Sequence, residues 1–170
     1  KLNLLLDQVF LKDPFEAREL KWRPDSSGLL FEHIERGFGA HRVIEIPVAD
    51  GKARTLIDET AETFVFVFGN SFRRDVNDLK EIIWRSERDG WNHLYLYDGV
   101  TGKVKNQITK GQWVVREVVE VDEDKRQITF RAAGREPGQD PYYLHTYRVN
   151  FDGTGLLRLT EGDGTHSTQV

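Results

Sequence analysis

His33, His41, His93, His145 and His166 are the five imidazoles of the chain. None forms a His-x-His or His-x-x-x-His pair, and with no cysteine to complete a ligand set a zinc centre is not expected. His93, beside Asn92 at the head of a strand, suits turn and cross-strand hydrogen bonding instead. Two acidic runs raise calcium. Asp75-Val76-Asn77-Asp78 lacks the glycine at the sixth loop position and the bidentate glutamate at the twelfth. Asp122-Glu123-Asp124 continues into Lys125 and Arg126, which reads as a solvated hairpin tip. Ser71 sits in Gly69-Asn70-Ser71-Phe72-Arg73, which lacks the second glycine of a Gly-x-Ser-x-Gly elbow and reads as a loop. The 28 aspartates and glutamates are too many to nominate an acid and a nucleophile for glycoside hydrolysis. No nucleophile–base–acid set emerges, so the chain itself is expected to carry no catalytic triad, metal or cofactor.

Those residues belong to 170 amino acids, with 24 Lys+Arg against 28 Asp+Glu and a formal net charge of −4. At 38% hydrophobic and 11% aromatic residues the chain can build one packed domain. A mildly acidic balance without a basic block argues against a nucleic-acid surface. No apolar run reaches the roughly 18 residues needed for a membrane-spanning helix. Leu2–Leu6, interrupted by Asn3, is too short for the apolar region of a signal peptide. Absence of cysteine leaves the redox compartment open. A chain that begins at Lys1 and holds no methionine is read as a fragment or processed product.

Alternating apolar residues dominate: Leu29–Phe31, Val43–Ile46, Thr63–Phe68, Ile82–Trp84, Leu94–Tyr97, Val114–Val121, Ile128–Phe130, Tyr147–Val149 and Leu156–Leu159. Pro24-Asp25, Asp50-Gly51, Asp89-Gly90, Asp98-Gly99 and Asp152-Gly153 punctuate them as turns. Only Pro14 to Glu19 and Asn77 to Glu81 are assigned single helical turns, so the class is all-β. The pattern also repeats. Ile57, Ile108 and Leu159 close equivalent segments, and the intervals 57 to 108 and 108 to 159 are both 51 residues. Four short antiparallel strands recurring about every 50 residues mark the blades of a β-propeller. The expected blades cover 21–60, lacking its first strand, then 61–111 and 112–162, with the stub of a further blade at 163–170. Three blades cannot close a ring, which typically needs about 4–8. Trp84, Tyr95 and Trp113 are expected to pack between blades. A β-sandwich would match the strand count but not the even repeat.

Specific segments go further. Trp22-Arg23-Pro24-Asp25-Ser26-Ser27-Gly28 resembles the Trp-Ser-Pro-Asp-Gly blade opening of peptidase propellers. Ser86-Glu87-Arg88-Asp89-Gly90-Trp91-Asn92-His93-Leu94-Tyr95-Leu96-Tyr97-Asp98 and Ile108-Thr109-Lys110-Gly111-Gln112-Trp113 are similar to the N-terminal propeller region of the dipeptidyl peptidase IV and prolyl oligopeptidase family. Tyr147–Gly155, Leu159-Thr160 and Thr165-His166-Ser167 continue the likeness, which runs from about Lys21 to Val170. The resemblance implies the substrate-gating part of a serine exopeptidase. Its peptide substrate would be cleaved by a downstream α/β-hydrolase domain outside this chain. It also implies a periplasmic or secreted setting and a homodimeric parent. The paired glutamates with which the family binds a free amino terminus have no counterpart here, which leaves exopeptidase specificity undecided. Phe72 and Arg73 fall where the family carries a Phe-Arg or Tyr-Arg pair toward its substrate, although the spacing to the following hairpin is shorter. An arginine there can hydrogen-bond peptide carbonyls; the alternative is a solvated loop arginine beside Arg74 and Asp75. A stand-alone TolB-like propeller that binds other proteins is the rival reading, its blades usually shorter and more uniform than these.

Overall fold

Asp-Gly turns and alternating strands fold back on themselves three times along the chain. The computed structural model describes residues 14–69 and 71–166. The first sheet consists of β1 (Pro14–Trp22), β2 (Gly28–Glu35), β3 (Ala40–Pro47) and β4 (Arg54–Thr60). The second holds β5 (Arg73–Val76), β6 (Glu81–Ser86), β7 (His93–Asp98) and β8 (Val104–Gln107). β9 (Val114–Asp122), β10 (Gln127–Ala133), β11 (Leu144–Asn150) and β12 (Leu157–Arg158) form the third. Each sheet is antiparallel with its strands in sequence order, and all three are blades of an incomplete β-propeller.

Alternation sends successive side chains to opposite faces, and in the middle blade both faces are covered. Ile82, Trp84, Tyr95 and Tyr97 pack on Leu30, Val43 and Ile57 of the first blade. Ile83, Leu94 and Leu96 pack on Trp113, Ile128, Phe130, Tyr147 and Val149 of the third. Every residue of β6 is consequently buried, even Glu81 and Arg85. Trp113, Phe130 and Tyr147 stack at centroid separations of 5.6–6.4 Å.

A polar latch repeats with the blades. Thr109 Oγ1 accepts the Leu94 N–H at 3.0 Å and lies 3.0 Å from His93 Nδ1. Since the Gly111 carbonyl can only accept, His93 Nε2 carries the proton that spans their 2.9 Å. One blade later, Thr160 Oγ1 accepts the Thr146 N–H and lies 3.3 Å from His145 Nδ1. These latches tie the last strand of a blade to the strand before it. They are the physical content of the Ile-Thr and Leu-Thr closings.

Three local expectations are corrected. The first blade is not short of a strand: Pro14–Trp22 is extended and pairs with β2, so no helical turn forms over Pro14 to Glu19. A proline at the start of an edge strand is tolerated because its missing N–H faces away from the ladder. Thr63–Phe68, despite its alternation, belongs to no sheet; the first strand of the second blade is Arg73–Val76. β6 has a single free edge, and the segment joined to it by a four-residue turn closes the shorter loop. Phe68 instead meets Phe15 and Phe38 edge-on. Asn77 to Lys80 is that turn, with positive φ at Asn77, Asp78 and Leu79, and not right-handed helix. The stub placed at 163–170 reaches only His166 within the described residues.

Gly51, Gly102 and Gly153 share one repeat position, each with positive φ. A Cβ on Gly102 would lie 2.4 Å from the Leu56 carbonyl oxygen, and one on Gly153 3.0 Å from that of Ile108; one on Gly51 would meet nothing within 4 Å. Glycine is therefore demanded twice at Gly102 and Gly153, by backbone conformation and by the preceding blade, and once at Gly51. Gly51→Ala should cost the left-handed strain of about 1–2 kcal/mol. Gly102→Ala should cost about 1–3 kcal/mol more, because backbone must move. Urea midpoints of the two variants measure the difference; equal midpoints would contradict the close blade contact.

Candidate functional site between the first two blades

Arg73 opens β5 and pairs in register with Trp84. Its side chain is only 3% exposed, which rules out the solvated loop reading. Nε donates to Asp75 Oδ1 at 2.7 Å, while Lys21 Nζ donates to the other Asp75 oxygen at 2.8 Å. Nη1 lies 4.0 Å from Glu32 Oε1, beyond hydrogen-bond reach. Neither terminal nitrogen has a hydrogen-bond partner among the described residues. Asp75 thus fixes the plane of the guanidinium and leaves the outer edge of its fork unspent. Such an edge matches carbonyl or carboxylate oxygens.

Phe72, the other residue nominated from sequence, is half-buried and packs toward the core shared by the second and third blades. Its carbonyl accepts the Arg85 N–H at 3.1 Å. Phe72 and Arg73 line one cavity of about 260 Å³ together with Arg18, Glu19, Glu32 and Ser71.

Glu32 is the hub of the surrounding ion network. Its Oε2 accepts from Arg18 Nε at 3.0 Å and from His41 Nε2 at 2.8 Å. Arg18 also donates to Ser71 Oγ at 2.9 Å, and the Ser71 hydroxyl donates in turn to the Val67 carbonyl. The network therefore runs from β1, β2 and β3 across to the loop before β5. His41, at the position where the later blades have His93 and His145, meets a first blade with Asp58 in place of Thr109 and Thr160 and turns to Glu32. Its ring rests 4.6 Å from Trp84. Sequence reasoning missed Glu32, Arg18 and His41. A buried glutamate at the centre of an apolar strand, Leu30–Ile34, was the one available signal.

Burial pushes the Glu32 carboxyl up, but the hydrogen bond and charge of His41, with those of Arg18, outweigh it and hold its pKa below the ordinary value. A depressed folded-state pKa gives stability that is present above the ordinary carboxylate range, about pH 4.3, and lost as pH falls through the folded value. Glu32→Gln should therefore be less stable than the parent by about 1–3 kcal/mol at neutral pH. That gap should close toward acid. A gap independent of pH in urea unfolding would show that Glu32 does not act through its charge.

Asp75, part of the acidic run Asp75–Asp78, is already neutralised by Arg73 and Lys21. Asp122 closes onto Lys125 at the tip between β9 and β10. Gly69 and Ser71 lie in a loop, with Asn70 outside the described residues.

A family model for the dipeptidyl peptidase IV (DPP IV) N-terminal region matches residues 7–170. Among curated proteins, dipeptidyl peptidase 4 of Trichophyton equinum is 33% identical over 89 residues, 52% of this chain and 11% of that protein. Dipeptidyl peptidase 4 of Arthroderma otae is 26% identical over 149 residues, 85% of this chain and 18% of that protein. A crystal structure of a Bacteroides ovatus protein described as a dipeptidyl aminopeptidase IV superposes with a TM-score of 0.62 at 20% identity, covering 83% of this chain and 22% of its own. The chain thus spans only about a tenth to a fifth of the length of these relatives. The match over nearly all of its residues places this chain in the N-terminal region family of dipeptidyl peptidase IV.

Proposed function

We propose that the chain is the substrate-gating propeller portion of a serine exopeptidase of the dipeptidyl-peptidase type, with catalysis in an α/β-hydrolase domain outside residues 1–170. The family match carries this reading. The relatives it resembles are named as dipeptidyl peptidases. The propeller's part is to admit and orient peptides, and Phe72 with Arg73 provides the contact. In support, Arg73 combines a fixed plane with two buried donors that the described residues leave unused. A donor fork of that kind gains most from a peptide carbonyl held away from water. A periplasmic or secreted location goes with the same reading. Among the described residues no helix is long and apolar enough to cross a membrane.

Two measurements test this. The coding sequence beyond Val170 should contain a Gly-x-Ser-x-Gly after a strand, followed in order by Asp and His; a frame that closes after further blades alone would remove the peptidase reading. In the full-length protein, Arg73→Ala should raise KM for dipeptidyl substrates by about tenfold or more while kcat stays within about twofold. Arg73→Lys should recover little, since it keeps the charge but not the fork. An unchanged KM would leave Arg73 as a purely structural member of the Glu32 network.

A further inference from the structure

A second cavity, of about 240 Å³, lies between the end of the first blade and the Glu87–Asn92 hairpin of the second. It is just under the range of about 300–1,000 Å³ usual for small-ligand pockets. Its charged groups are already committed. Glu59 accepts from Ser86 Oγ at 2.5 Å and from Arg88 Nη2 at 2.9 Å. Arg88 also donates to the Tyr97 hydroxyl and lies 4.5 Å over the Tyr95 ring.

Two neutral groups lining the same cavity are not committed. Trp84 is 1% exposed and Asn92 4%, yet Trp84 Nε1 and Asn92 Oδ1 have no hydrogen-bond partner among the described residues. The Asn92 amide nitrogen donates to Glu87 Oε1 at 3.2 Å, which fixes which end of the amide is left over. An indole N–H can only donate and an amide oxygen can only accept. Buried polar groups are rarely left unmade, because each loses its water without a replacement. The complementary ligand offers one acceptor and one donor and no charge. A secondary amide, the repeating unit of a peptide main chain, is that ligand. Phe64 and Phe66, 57% and 47% exposed, supply an apolar wall for the side chain beside it.

From these groups we infer that the cavity binds an uncharged stretch of peptide main chain, its carbonyl accepting from Trp84 Nε1 and its N–H donating to Asn92 Oδ1. The inference shares the peptide-handling theme of the proposed function but involves neither Arg73 nor a catalytic domain. Binding to the full-length protein, read at Trp84 and not by turnover, therefore tests it separately from catalysis.

The test follows the indole N–H resonance of Trp84 in the ¹⁵N-labelled full-length protein, identified by its disappearance in Trp84→Phe. Titration with N-acetyl-leucyl-leucine N-methylamide, whose side chains can reach the Phe64 and Phe66 wall, should move this resonance saturably and leave that of Trp22 in place. A matched ester lacking the central N–H should bind about tenfold more weakly, the loss expected for one hydrogen bond to a buried group. Phe66→Ala, at an exposed position that the sheets do not depend on, should weaken the amide several-fold. An unmoved Trp84 resonance at millimolar peptide in an otherwise dispersed spectrum would mean that water alone satisfies these groups, and would overturn the inference. Equal affinity for amide and ester, or for the parent and Phe66→Ala, would overturn it as well.

Discussion

Burial between neighbouring sheets is the constraint on which everything else in this chain depends. Four strands of two to nine residues make a sheet too small to shield its own apolar side chains, so each blade is stable only against another. The middle blade shows the principle most fully. Trp84 and Tyr95 turn to the first blade while Ile83 and Leu96 turn to the third, and neither face is left to water. A strand buried on both faces reads as Glu-Ile-Ile-Trp-Arg-Ser, nearly continuous in its apolar centre, whereas β1 and β9 at the sheet edges keep their charges.

Close packing of sheets brings backbone to backbone, and polar ties form where it does. Arg23 reaches from the first blade to the carbonyls of Leu79 and Gly99 in the second, at 3.3 and 2.6 Å, while also pairing with Glu45. Arg54 holds the same glutamate and donates to the Val100 carbonyl at 2.9 Å. At the next junction the roles recur with different residues. Glu81 of the second blade takes Arg126 of the third, and Asn106 donates to the Phe151 carbonyl. The Arg126 hydrogen bond leads the contributions that hold the Glu81 carboxyl below its ordinary pKa. Such pairs add little net stability once their desolvation is counted. They do fix the rotation of one blade against the next, since carbonyls on a turn can be met from one direction only.

What could be read from the sequence followed the same division. The 51-residue repeat, the Asp-Gly turns and the inter-blade aromatics are properties of a blade taken singly, and period and composition report them. The discrepancies arose where two segments competed or where blades met. Phe64-Val65-Phe66-Val67-Phe68 has better strand periodicity than Arg73-Arg74-Asp75-Val76, yet alternation cannot say which of two candidates wins one free edge. Positive φ at Asn77, Asp78 and Leu79 leaves no mark on composition beyond the Asn-Asp pair. Phe72 and Arg73 were legible as a pair worth naming. The burial of Arg73 was not, because it depends on Glu32 and Lys21, some forty to fifty residues upstream.

Both cavities with unspent donors or acceptors open at the junction of the first two blades, and the reason is geometric. Inside a blade the backbone groups of neighbouring strands pair in the ladder, which leaves binding mainly to side chains. Where two twisted sheets diverge toward their ends, side chains from both reach into a gap that neither fills. His41 stands at the centre of this gap. Its Nε2 serves Glu32 on the side of the Arg73 cavity, and its ring lies against Trp84, which lines the other. Loss of a histidine–threonine latch in the first blade is what frees His41 for this position. One departure from the repeat thereby links two chemically different cavities, one lined by a charged fork and the other by a neutral donor and acceptor.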